Sequence, residues 1–170
     1  MTETLEQKAK RFALRQVFDT HHLYDGQPYN IHLEQAVEFA YKYKHLVPEK
    51  DFDAVVAAVW MHDNIEDNRA NYAEIKTEFG KDVAELVYAV TNEKGRTRAE
   101  RANAKYYIGI ERLEYATFVK LCDRLANVTY SKASGSSMFR KYKTEHDKFV
   151  HYLYDIKYDE MFSELETILL

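Results

Sequence analysis

Apolar residues recur along this chain at intervals of three and four, the period of one helical face, so the chain reads as a succession of helices. Leu5, Ala9, Phe12, Ala13 and Phe18 predict an amphipathic first helix from Leu5 to Phe18. His21 to Tyr29 holds the turn residues Asp25, Gly26 and Pro28 and reads as a loop. Asn30 is placed to cap a second helix, with Ala36, Val37, Phe39, Ala40 and Tyr43 facing inward and His32 in its first turn. Pro48 and Asp51 mark the start of a third helix. Asn71 to Glu74 has the form of a capping box, Phe79-Gly80 that of a helix end, and Lys81 to Val90 reads as a short helix.

After the polar segment Thr91 to Thr97, the pattern predicts one helix from about Arg98 to Ile110. Phe118, Leu121, Cys122 and Leu125 follow i, i+3, i+4, i+7 and define the buried stripe of a helix from Ala116 to Val128. Asp123 and Asn127 lie one turn apart beside that stripe, with Lys120 a turn before. Ser131 to Ser137 is small and polar and reads as a mobile loop. Helices from roughly Met138 to Tyr154 and Met161 to Leu170 finish the chain.

The third helix poses an electrostatic problem. Ala54 to Val59 offers no polar face to water, so this helix is expected to be buried and to deliver His62 and Asp63 into the interior. Glu66 and Asp67 follow at once. Buried acids need hydrogen bonds, a counter-charge or a metal, and the C-terminal end of a helix dipole opposes them. The missing element is a positive charge.

Composition narrows the setting. The 170 residues suffice for one well-buried core and are too few for two ordinary domains, so 1–170 is expected to be one domain. Only five glycines and two prolines argue against an all-β sandwich or barrel and for an all-α fold with short connections. A net charge of −4 gives no general attraction to nucleic acid or anionic membranes. The single Cys122 excludes an internal disulfide and suits a reducing compartment. No apolar run reaches the roughly 18 to 20 residues that span a bilayer, and the first residues do not resemble a signal peptide, so a cytoplasmic protein is expected.

The chemistry gathers at His32, His62-Asp63, Glu66-Asp67 and Asp123. Two imidazoles and two carboxylates without a thiolate suit a borderline or hard divalent ion. Manganese with open positions for water fits best, with iron, zinc, cobalt and nickel as alternatives. On a continuing helix, Glu66 and Asp67 lie one turn beyond His62 and Asp63 and flank such an ion without binding it.

The order His, then His-Asp, then Asp on successive helices resembles the HD-domain metal-dependent phosphohydrolases. Pro28 to His32, His62 to Asp67, and Val119 to Asn127 resemble the hydrolase domains of RelA/SpoT-type enzymes, in particular the stand-alone small alarmone hydrolases. Val90-Thr91-Asn92 falls where that family has a Thr-containing turn. The resemblance implies an all-helical HD bundle in which His32, His62, Asp63 and Asp123 hold one manganese ion and Glu66 and Asp67 serve the hydrolytic water. It further implies removal of the 3′-pyrophosphate of guanosine tetraphosphate or pentaphosphate, a reaction of the stringent response, without a synthetase.

Phosphoryl transfer needs cations around the developing negative charge, and Arg96, Arg98, Arg101 and Lys105 near the Thr91 to Thr97 loop are the candidates. A solvated basic helix face is the competing explanation. Asn127 is a candidate for sugar or phosphate, and Tyr24, Tyr29 and Tyr142 are tyrosines to watch among 14. His21 and His22 stand where the alarmone hydrolases commonly carry an Arg-Lys pair near the nucleobase. Histidine lacks arginine's planar fork and constant charge, so an adenosine alarmone, ppApp, becomes an alternative to ppGpp. Ala126 replaces a His common in the family motif. The remaining alternatives are a phosphatase acting on NADPH or a nucleoside monophosphate at the same metal site, and a nucleotide-binding regulator without turnover.

Overall fold

The computed structural model describes residues 2–67 and 69–170. Helix α1 spans Leu5–Thr20 and opens on a capping box, in which the Thr4 side chain accepts from the Gln7 amide and the Gln7 side chain accepts from the Thr4 amide. It ends where His21 turns left-handed at φ 50°. The expected loop that follows contains a small antiparallel hairpin, β1 (Leu23–Tyr24) and β2 (Gln27–Pro28). Asp25 and Gly26 form its two-residue turn, both at positive φ, the conformation that matches strand twist and that an Asp-Gly pair adopts readily.

Helix α2 spans Asn30–Lys42. Asn30 is its first residue and not its cap: Tyr29 occupies the cap position, without a side-chain cap bond. His32 does lie in the first turn and is buried with Leu33, Ala36, Val37 and Ala40. Helix α3, Glu49–Met61, is buried continuously from Val55 to Met61. It stops at Met61, so His62 is its terminal cap and residues 62–67 form turns. Glu66 and Asp67 are therefore presented by a turn, not by a continuing helix.

Helix α4 (Tyr72–Phe79) is capped by the Asn71 side chain, which accepts from the Glu74 amide, and gives way at Gly80 to α5 (Lys81–Val90). The single helix expected from Arg98 to Ile110 is two: α6 (Arg98–Arg101) and α7 (Ala104–Arg112). The break is local chemistry. Asn103 uses its side chain to cap the Tyr106 amide, an Asn preference that competes with helix continuation. Gly95 is pressed against α6, where a Cβ would lie 2.6 Å from the Glu100 Cβ, so this loop packs tightly.

Helix α8 runs Ala116–Ser134 and ends at Gly135, at φ 67°. The segment 131–137 is thus helical in its first half, and only a short turn leads into α9 (Met138–Leu153). Helix α10 (Asp159–Leu169) closes the chain. Helix α3 packs against α1, α2, α5 and α8, while α8 also meets α7, α9 and α10. These two helices form the axis of the bundle. Phe118, Leu121, Leu125, Val59 and Met61 are fully buried there, and each large apolar side chain contributes about 1.5–3 kcal/mol. No described helix is long and apolar enough to cross a membrane.

Candidate functional site

Packing of α2, α3 and α8 brings three remote side chains to one point. His32 comes from the first turn of α2, His62 from the end of α3 and Asp123 from the middle of α8, with one ligand atom of each within 4.8 Å of the others. The two Nε2 atoms are 3.0 Å apart, and Asp123 Oδ1 lies 3.2 Å from that of His32 and 3.5 Å from that of His62. Asp63 Oδ2 lies 3.4 and 3.0 Å from the same two nitrogens. Its other neighbour is the Tyr29 hydroxyl, which donates to Oδ2 at 2.5 Å.

The donor chemistry fits a cation. His62 Nδ1 is 2.7 Å from the Val59 carbonyl oxygen, which can only accept, so the proton sits on Nδ1 and Nε2 turns a lone pair inward. Two imidazole nitrogens and two carboxylates then converge on one buried point, a set suited to a divalent ion. Without one, the four groups neutralise each other. Burial disfavours charge on all of them, yet Asp63 and Asp123 raise both histidines above their ordinary pKa, and the histidines hold both acids well below the usual carboxylate range. For Asp123 the largest of the lowering influences is Lys120, 2.7 Å from its Oδ2, ahead of the two histidines.

The two following acids take different places. Glu66 stands between the cavity beside the cluster and an adjoining groove, lining both, and is held by Asn92, whose side-chain amide donates to Oε1 at 2.9 Å. Asp67 faces the groove alone, where Arg69 Nη2 lies 2.6 Å from its Oδ2 and His22 Nδ1 lies 3.6 Å away. Burial first, then Asp63, raises the Asp67 pKa, and Arg69 and His22 oppose that shift. Arg69 is itself buried, its guanidinium 4.7 Å from the centre of the Tyr29 ring.

The cavity is polar, with a volume of about 200 Å3. Arg98, Arg101, Lys120 and Arg124 line it together with Tyr142, Asn127 and Glu145. Glu145 binds Arg98 and Arg124 at once, and Tyr142 lies between the two guanidiniums, 5.6 and 4.9 Å from its ring centre. Burial disfavours charge on Lys120, but Asp123, Tyr106 and Glu66 hold its pKa well above the ordinary value.

Among the expected substrate contacts, Arg98, Arg101, Asn127 and Tyr142 line this cavity, whereas His21, His22, Arg96 and Lys105 do not. His21 is exposed and stacks on Phe18. His22 packs on the Tyr29 ring, with centroids 4.3 Å apart. Arg96 is exposed, and Lys105 pairs with Glu93 at 2.8 Å on the wall of the groove. Arg124 and Glu145 were not singled out by sequence. Arg124 follows Asp123 directly, and Glu145 stands three residues after Tyr142 on the same face of α9, a spacing that in hindsight links them.

Comparison with known proteins agrees with this geometry. Residues 9–149 match the HD domain. The guanosine-3′,5′-bis(diphosphate) 3′-pyrophosphohydrolase MESH1 of Xenopus tropicalis is 35% identical over 75 residues, 44% of this chain and 42% of that protein. The guanosine-3′,5′-bis(diphosphate) 3′-pyrophosphohydrolase of Aquifex aeolicus is 36% identical over 110 residues, 61% of this chain and 14% of that protein. The match therefore spans about two-fifths of the MESH1 sequence and a smaller part of the bacterial one. A solved structure of a metazoan ortholog of SpoT, described as hydrolysing ppGpp with a role in starvation responses, superposes with a TM-score of 0.74 at 21% identity. The superposition covers 100% of this chain and 99% of that one, and it shares the fold.

Proposed function

The chain belongs to the HD-domain family, and from that premise we propose that it is a metal-dependent hydrolase removing the 3′-pyrophosphate of a purine alarmone, (p)ppGpp or (p)ppApp. The observation that carries this is the convergence of His32, His62 and Asp123, with Asp63 beside the two histidines, next to a cavity lined by four cationic side chains. The named relatives act on guanosine 3′,5′-bis(diphosphate), and the substrate class follows theirs. One HD domain over 1–170, in a cytoplasmic setting, completes the proposal.

His32, His62, Asp63 and Asp123 would hold the ion, manganese by preference, because mixed imidazole and carboxylate donors with open positions suit it. When bound, the ion supplies Lewis-acid polarisation of a phosphoryl oxygen and of water. The remaining work falls to side chains of this chain. Glu66, lining the cavity and fixed by Asn92, orients the attacking water and accepts its proton. Asp67 supports it from the groove side, anchored by Arg69.

Arg98, Arg101, Lys120 and Arg124 neutralise the charge that spreads over the phosphoryl oxygens. A cavity of about 200 Å3 is smaller than the several hundred Å3 typical of whole-ligand pockets, so it receives the diphosphate end and leaves the nucleoside outside. His22, packed on Tyr29 and 3.6 Å from Asp67, puts an imidazole in place of a planar guanidinium fork. That replacement favours testing the adenosine alarmone beside the guanosine one.

The test is product identification. Manganese-loaded protein is incubated with ppGpp, ppApp, NADPH and nucleoside monophosphates, and the products are separated chromatographically. Pyrophosphate and a 5′-nucleotide from an alarmone are expected. Inorganic phosphate from the other substrates alone, or alarmone binding with no product, overturns the proposal.

A further inference from the structure

His32 and His62 are held differently. A metal-binding imidazole is normally oriented by a hydrogen bond from its second nitrogen. His62 has that bond, from Nδ1 to the Val59 carbonyl. His32 Nδ1 is buried without a partner among the described residues. Something else must fix the rotation of the His32 ring.

The neighbour that fills this role is Tyr24, on β1 of the hairpin. Its ring lies against the His32 ring, centroids 5.0 Å apart and planes 20° from parallel. Tyr24 is in turn flanked edge-on by Tyr130 at 4.8 Å and Tyr29 at 5.8 Å, so its own plane is fixed. The far end of the same side chain reaches a second member of the cluster. Its hydroxyl is 2.7 Å from Asn127 Oδ1, and Asn127 Nδ2 is 2.5 Å from Asp123 Oδ1. An ionised carboxylate only accepts, so the amide must turn its NH2 to Asp123 and its oxygen to Tyr24, which makes the tyrosine the donor.

We infer that Tyr24 is a positioning residue for the metal site, fixing His32 through its ring face and Asp123 through Asn127. The inference rests on the proposal that these side chains hold the ion. One residue of a two-stranded hairpin thereby fastens donors from α2 and α8, and its two contacts are separable by substitution. Tyr24→Phe removes the hydroxyl relay and keeps the ring. Tyr24→Leu removes both.

The experiment is calorimetric titration of the metal-free chain, residues 1–170, with Mn2+, with circular dichroism to verify folding. Loss of an outer-shell partner typically costs about 10–100-fold in metal affinity, and that loss is expected for Tyr24→Leu. Tyr24→Phe is expected to lose affinity by a clearly smaller factor, since the ring contact to His32 is retained and only the relay to Asp123 is cut. If Tyr24→Leu does not fold, Tyr24→Met, which keeps bulk without a ring, takes its place. Affinity within about threefold of wild type in the ringless variant overturns the inference, as does an equal loss in Tyr24→Phe. A wild-type chain that binds no Mn2+ would instead overturn the metal site itself.

Discussion

Arg98 presents Nε and Nη2 to the two carboxylate oxygens of Glu145, at 2.8 and 3.1 Å, across 47 residues of chain. The pair draws the four-residue α6 onto α9 and makes one wall of the cavity. Because Arg124 shares the same carboxylate at 3.1 Å, two cations are aligned toward the space where a phosphoryl group would lie.

Arg98 is half exposed, so its loss should be felt in binding more than in folding. A charge-assisted hydrogen bond is worth about 1.5–3 kcal/mol, or about 10–100-fold. Arg98→Ala should therefore raise the KM for the alarmone by that factor, with kcat less affected and only a small fall in melting temperature from the lost Glu145 pair. Steady-state kinetics decide it, and an unchanged KM removes Arg98 from the substrate site.

Arg124 is buried against the Phe149 and Tyr142 rings, 4.7 and 4.9 Å from their centres. Its truncation should cost both functions. Arg124→Ala is expected to lose about 1–3 kcal/mol of stability in addition to activity, read by urea unfolding.

The pair also sets an acid dependence. Burial raises the Glu145 pKa, but Arg98 and Arg124 outweigh it, and the carboxyl sits below its ordinary value. The folded state thus prefers the ionised form. The stabilisation is present above the ordinary carboxylate pKa and is lost as pH falls through the depressed folded value. Thermal melts of Glu145→Gln should show a flatter acid limb than wild type. Parallel limbs would mean that the pair contributes nothing to stability.

Glu66 and Asp67 should separate in strength. Glu66 lines both the cavity and the groove, and Asp67 the groove alone. Glu66→Gln is expected to bind Mn2+ as wild type does and to lose about 10²–10⁴-fold in kcat, with a smaller loss in Asp67→Asn. Metal titration beside single-turnover kinetics checks this, and a larger loss in Asp67→Asn reverses the assignment.

Metal should couple to folding. At a free Mn2+ concentration 100 times its Kd, binding to the native state adds about 2.7 kcal/mol. The melting temperature should rise by several degrees in wild type and not in Asp63→Ala or Asp123→Ala. A manganese-dependent rise that persists in Asp123→Ala would place the ion elsewhere.

Much of this protein is legible from local pattern. The apolar run into His62-Asp63 marked a buried helix ending in polar groups, and α3 is buried without interruption to Met61. The i, i+3, i+4, i+7 stripe identified the inward face of α8, and Asp123 beside it is buried. Periodicity suffices there because a buried helix must repeat apolar residues at the spacing of its own turn. Where a short polar side chain competes with the backbone, periodicity misled: Asn103 caps α7 and splits the expected helix. The opposite error fell at Ser131 to Ser134, expected in a loop, which stay in α8 until Gly135 ends it.

Convergence belongs to the tertiary structure. Nothing local tells Arg98 and Arg101, which line the cavity, from Arg96 and Lys105, which do not, because that depends on how α6 and α7 rest against α8 and α9. Glu145 meets Arg98 and Arg124 for the same reason, and Tyr24 meets His32 only because the hairpin folds over α2. With the exception of Phe18, which was expected on the apolar stripe of α1 and is exposed, the sequence determined most of the buried faces and the chemistry their side chains carry. Only packing decided which of them meet, since hydrogen bonds and ion pairs act over a few ångströms and chain separation does not measure that distance.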